Sequence, residues 1–150
     1  MLGLLLAAAA ACSNHQFDFW IGKWDLVVRA RANDKWVEGS GRNEVTSTYG
    51  GCVVDERFQA DGPLGPFSGH SVSVFAGGRW RQTWVDDAGA YLLFDGGWTG
   101  SEMVLAQDGA PKRMVFTGIT PDGFHWRWER SDDGGKTWTP VLLIDYRRGH

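Results

Sequence analysis

The sequence predicts an all-β domain, a single antiparallel up-and-down β-barrel of about ten strands. Three observations predict it. From residue 24 onward, short runs rich in Val, Trp, Phe, Tyr and Thr are separated by clusters of Gly, Asp and Pro, the pattern of strands and turns. No apolar stripe of helical period lasts three turns in that stretch, so the crossover helices that parallel strands need are missing and the sheet is antiparallel. Most connections are of hairpin length, and closing the sheet on itself removes its exposed edges.

Composition agrees. At 150 residues the chain suits one domain with a core of its own, and its 21 glycines and 9 tryptophans point to many turns around an aromatic interior. A net charge of -3 and scattered Lys and Arg offer no field for a phosphate backbone, which argues against a nucleic-acid partner.

Taken in order, residues 1–11 are wholly apolar and run into Cys12, Ser13 and Asn14. The run is too short to span a bilayer, and small residues before a cysteine resemble a bacterial lipobox, with Cys12 the lipidated residue. A plain signal peptide cut after Ala11, or a buried helix, are the alternatives. Residues 12–23 then form a lead-in and barrel plug, and 24–150 the barrel. Strands are expected at 24–31, 42–49, 52–59, 67–75, 79–86, 90–95, 102–107, 112–119, 124–131 and 139–147.

Alternation assigns some faces. Trp24, Leu26, Val28 and Ala30 point inward on the first strand. Trp80, Gln82, Trp84 and Asp86 share a face, as do Phe124, Trp126 and Trp128 against His125, Arg127 and Glu129. Cys52, Val54 and Phe58 carry Glu56 with them to an apolar face, and Cys52 is expected to be a small buried hydrophobe. The faces of 42–49, 67–75, 90–95 and 139–147 stay open. Two cysteines allow one bridge, Cys12 to Cys52, which lipidation of Cys12 would preclude. No Cys/His spacing fit for a metal occurs.

The segment Phe17-Asp18-Phe19-Trp20-Ile21-Gly22-Lys23-Trp24-Asp25 resembles the opening signature of a bacterial family of exported domains of unknown function. Gly22-Lys23-Trp24 also matches the Gly-x-Trp that opens lipocalins. Gly51 to Glu56, Phe67 to Ser71, Trp80 to Asp86 and Ser131 to Trp138 follow in the order that family shows. The resemblance implies a calycin-like barrel, similar to lipocalins and haem-binding nitrobindins, without a settled activity. Physically, Gly22 allows a tight turn beneath the barrel and Trp24 plugs its end, with Arg147 or Arg148 expected to stack on the ring. Trp20 and Trp24 are expected in the core.

Several groups are candidates for chemistry. Ser131-x-Asp133-x-Gly135-x-Thr137-Trp138 fits an Asp-box, a structural turn without catalysis. His70, His125 and His150 invite the haem reading that the resemblance implies, yet His125 alternates with charged residues and His150 is terminal. Glu56, Gln82, Trp84 and Asp86 are the most informative set, because an acid and an amide on apolar faces need partners. With Trp80 and Trp126 as flat walls they suggest a pocket for a small apolar or amphipathic ligand. The alternatives are an internal network that fixes strand register, a hydrolase or isomerase using Glu56 with Asp86, and a haem-binding barrel. No metal or obligatory cofactor is expected, and the membrane is met through a lipid anchor alone.

Overall fold

In the computed structural model, residues 14–63 and 65–149 are described; the expected signal segment, Cys12 and His150 lie outside them. Ten antiparallel strands make a closed up-and-down barrel: β1 (Gly22–Ala32), β2 (Lys35–Thr48), β3 (Val53–Ala60), β4 (Phe67–Ala76), β5 (Arg79–Asp86), β6 (Tyr91–Trp98), β7 (Met103–Gln107), β8 (Lys112–Thr120), β9 (Gly123–Arg130) and β10 (Thr139–Arg148). Each strand pairs with its neighbours in sequence, and β1 pairs with β10 from Trp24↔Arg148 to Ala30↔Leu142.

Some boundaries differ from the expected ones. β2 starts at Lys35 rather than 42, because Asn33 and Asp34 both take left-handed φ (49° and 64°) and turn the chain directly into a long hairpin. β6 runs on to Trp98 through a Gly96-Gly97 pair that reads as a turn. Cys52 does not open β3 as a buried hydrophobe. It follows the short turn Tyr49–Gly51, where its N–H donates to the Tyr49 carbonyl, and it is half-buried and not a free thiol.

The N-terminal segment stoppers one end. Phe17, in front of the 3-10 turn Asp18–Trp20, is fully buried and meets Trp80 and Phe116 edge-on at 4.8 and 5.4 Å. Trp20 and Trp24 are each 1% exposed, and the Trp24 Nε1 donates to the Trp20 carbonyl at 2.8 Å. The expected cation stack is made by Arg148, whose guanidinium carbon lies 3.9 Å from the Trp24 ring centroid. Its nitrogens also donate to the carbonyls of Ile21 and Pro121. Gly22 is what lets this arm pass: its φ is +144°, and a Cβ there would sit 2.1 Å from Arg148 Nη1.

The outer face carries the charges. Asp145 accepts from both Arg29 and His125, and His70 pairs with Asp55 at 2.9 Å. The Asp-box is a turn, as expected. Ser131 Oγ accepts from the Gly135 N–H, Asp133 accepts from the N–H groups of Lys136 and Thr137, and Arg113 stacks on Trp138 at 4.2 Å. These hydrogen bonds, led by the Thr137 hydroxyl, hold the Asp133 carboxyl down at about 2.

Removing the stopper should therefore cost more than removing its clasp. Trp24→Ala is expected to lose about 3–5 kcal/mol, as for other fully buried large aromatics, and Arg148→Ala about 1 kcal/mol. Urea unfolding of the two variants measures the difference; equal losses would show that the indole is not the centre of the plug.

Candidate functional site

Two rows of inward side chains cross the half of the barrel made by β2 to β7. The first runs through the pairs Val45↔Glu56, Glu56↔Ser71, Ser71↔Trp84 and Trp84↔Leu92. The second, deeper row runs Val54↔Ser73, Ser73↔Gln82, Gln82↔Phe94 and Phe94↔Gln107. Pairing places Glu56 against Ser71 and Gln82 against Ser73, so each long polar side chain has a small hydroxyl beside it. Ser71 donates to Glu56 Oε1 at 2.7 Å, and Gln82 Nε2 donates to Ser73 Oγ at 2.9 Å.

Inside these rows lies a cavity of about 320 Å³, within the range of small-molecule sites. Glu56, Gln82 and Gln107 give it polar lining, with Phe94 between the two amides, and Met114, Phe116, Trp126, Trp128 and Ile144 add apolar surface. Trp20 and Tyr146 also line it, toward the stoppered end, and Phe67, Trp84, Leu92 and Lys112 line it at the other end. A larger open groove of about 770 Å³ crosses the outer face past Lys23, Arg42, Glu44 and Arg57. Its walls carry mixed charges on the barrel's outside, which water and salt screen, and they offer no enclosed surface; the interior is the candidate site.

Glu56 is the charged centre of the cavity. It is 5% exposed, forms no ion pair among the described residues, and accepts hydrogen bonds from Ser71 and, at 2.6 Å, from Asn43 Nδ2. Burial pushes its carboxyl up from 4.5 to about 7, against the pull of those two donors and of His70. The same Asn43 nitrogen donates to the Tyr146 hydroxyl at 3.0 Å. Burial, with the Glu56 charge added, lifts the Tyr146 phenol well above its ordinary range, so it keeps its proton.

Two buried atoms of the cavity walls lack partners: Trp20 Nε1 and Gln107 Oε1. The Trp20 N–H lies close enough to the Tyr146 hydroxyl to favour its ionised form, yet no acceptor completes a hydrogen bond to it.

The expected site residues divide. Glu56, Gln82, Trp84 and Trp126 line the cavity. Trp80 does not. It lies on the same strand face as Gln82 and Trp84, but it is the second residue of β5, at the stoppered end, where Phe17 and Phe75 cover it and its Nε1 donates to Gln16 at 3.2 Å. Asp86 lies at the opposite end of β5 and is no partner of Glu56. It accepts from Trp84 Nε1 at 2.8 Å and from the N–H groups of Ala88 and Ala90, and these donors outweigh burial and hold its carboxyl below the ordinary range. The alternative that paired Glu56 with Asp86 as acid and base therefore has no geometry behind it, and Asn43 and Tyr146 stand beside Glu56 instead.

Sequence reading missed Asn43, Ser71, Gln107 and Tyr146. The first two and Tyr146 lie on strands whose faces stayed open, and Gln107 ends β7. Gly69 is another omission with a signal behind it. A Cβ there would lie 2.1 Å from the Trp84 ring, so the glycine makes room for that indole over the cavity.

Among the described residues, no group of three or more His, Cys, Asp or Glu is arranged to hold a metal ion. His70 pairs with Asp55, His125 with Asp145 and His15 with Asp18, and none lines the cavity. Among the described residues, no histidine is placed in the cavity for the haem ligation that the resemblance implied.

Fold and site together define a class: a closed antiparallel barrel enclosing a cavity of small-molecule size, compatible with ligand binding. Neither a known family model nor a curated protein matches the chain. Among solved structures it is similar to the crystal structure of Rv2717c from M. tuberculosis, at 13% identity and a TM-score of 0.64, over 89% of this chain and 95% of that one. At that identity the likeness establishes the fold.

The buried carboxyl sets a pH dependence. Below about 4.5 Glu56 is protonated in both folded and unfolded chains; between 4.5 and about 7 the unfolded chain loses the proton while the folded one keeps it. Stability from this group is therefore full at low pH and falls as pH rises, by roughly 3 kcal/mol, levelling off above about 7. Glu56→Gln should remove that fall and be the more stable chain at pH 8. Urea midpoints at pH 5 and pH 8 test this; parallel pH profiles would mean that the carboxyl is solvated.

Proposed function

We propose that this chain is an exported, calycin-like barrel that takes up a small amphipathic molecule in its interior. The observation that carries the reading is a cavity lined by both aromatic rings and polar side chains. A ring-bearing ligand would find aromatic faces at Trp84, Trp126 and Phe94, and hydrogen-bonding edges at Glu56, Gln82 and Gln107. The unpartnered Gln107 Oε1 and Trp20 Nε1 support it further, because a buried polar atom without a partner costs about 1–3 kcal/mol that a ligand or bound water would recover. Asp86 contributes by fixing the Trp84 indole.

Export rests on the apolar run of residues 1–11, which closes on small residues as a secretory signal does; the bonded state of Cys52 speaks against lipidation of Cys12. The calycin-like assignment is supported by the up-and-down barrel and by the Gly22-Lys23-Trp24 opening with Arg148 stacked on Trp24.

Native mass spectrometry of the full chain from a bacterial host, beside Trp84→Ala, tests the reading. The wild type is expected to carry a discrete extra mass that the variant has lost. Bare protein in both, with no saturable quenching of tryptophan fluorescence by 1-anilinonaphthalene-8-sulfonate, would assign Glu56 and Gln82 to an internal network that fixes strand register.

A further inference from the structure

Beyond binding, the stoppered end of the cavity gathers groups that binding alone does not call for. Glu56 is a carboxylate without a counter-cation beside it, held by two neutral donors and facing a wall of rings. The Tyr146 hydroxyl already accepts from Asn43, which leaves its own proton free to donate. Trp20 Nε1 is a second donor, in a side chain 1% exposed, with no acceptor. One amide nitrogen, Asn43 Nδ2, bridges Glu56 and Tyr146 and fixes the base and the first donor relative to each other.

We propose that the cavity is a proton-transfer site for a flat, ring-bearing carbonyl compound, with Glu56 as the base and Tyr146 and Trp20 as donors to the carbonyl oxygen. Glu56 takes the proton from the carbon next to the carbonyl. The C–H electron pair becomes the new C=C bond, and the former C=O π pair moves onto the oxygen, where the phenol O–H and the indole N–H meet the developing charge. The proton then returns from Glu56 to the same carbon or to one conjugated with it. Nothing is oxidised or reduced and no co-reactant enters. Asn43 is a positioning residue, since it touches both groups without facing the substrate.

Three features favour this chemistry over a hydrolytic one. The walls are mostly apolar, which favours both the base and the donors by limiting water beside them. Among the described residues, Glu56 is the one carboxylate in the cavity lining, and Asp86 is engaged at the far end of β5. The Tyr146 proton stays in place when Glu56 is charged, so a donor and a base coexist.

The proposal rests on the cavity being a ligand site, and one experiment separates the two. The full chain is incubated at pH 8 in D₂O with 2-tetralone, a bicyclic ketone, while NMR follows deuterium entering the carbons beside the carbonyl. Saturation transfer to the ring protons in the same tube reports binding. The expected result is saturation transfer with exchange about a hundredfold above the buffer rate. Glu56→Gln should bind and exchange at the buffer rate, and Tyr146→Phe should bind and lose at least about tenfold. Binding with exchange at the buffer rate overturns the proposal and leaves the ligand reading standing. Neither binding nor exchange overturns both. Undiminished exchange in Glu56→Gln removes the carboxylate from the role assigned to it, and near-UV circular dichroism shows that the variant is folded.

Discussion

Arg148, on the last strand, lies over the indole of Trp24 on the first, and reaches past Gly22 to the carbonyls of the segment that fills the barrel's end. That one contact ties three things together: the closing ladder of the sheet, the stopper formed by Phe17 and Trp20, and the floor of the cavity. A barrel of ten strands is too wide for its own wall side chains to fill at both ends. Supplying a separate aromatic plug to one end lets the other half of the interior stay hollow. The density of rings at the plug follows, with Phe124 and Tyr146 stacked at 4.3 Å and Trp24 edge-on to Phe124 at 5.2 Å.

The hollow half is held at a cost in stability. An ionisable side chain is buried there with neutral partners, and polar atoms of Trp20, Gln107 and Asn43 lack hydrogen bonds. An apolar core of the same volume would be more stable. The barrel tolerates the arrangement because each polar side chain except those few is served by a neighbour chosen by register. Ser71 and Ser73 are fully buried for this purpose alone.

That inversion explains how far the sequence could be read. The fold class, the strand positions and the aromatic stopper were legible, because they follow from period-two runs, turn residues and the Gly22-Lys23-Trp24 opening. The inward face of β4 was not, since it buries Ser71 and Ser73 while Val72 between them is 39% exposed, the reverse of the usual rule. Alternation also gives a side chain's face and not its height. Trp80 and Trp84 share a face on one strand, yet the plug covers the first and the cavity takes the second. The meeting of Asn43 and Glu56 with Tyr146 depends on β10, 103 residues further along than Asn43, closing over β2 and β3, so no local pattern announces it.

The strand order carries a consequence for how the chain reaches this state. Every ladder but one joins strands that follow each other in sequence, so most of the sheet forms through short-range contacts, hairpin by hairpin. The exception, β1 with β10, must bring the two ends of the domain together across the whole intervening chain, the largest loop-closure entropy in the fold. Ring closure is therefore the late step, and the hollow half gains its shelter from water only then. Until that moment the sheet presents two unpaired edges and a face of tryptophans, which makes the nearly finished barrel, rather than the extended chain, the species most exposed to self-association.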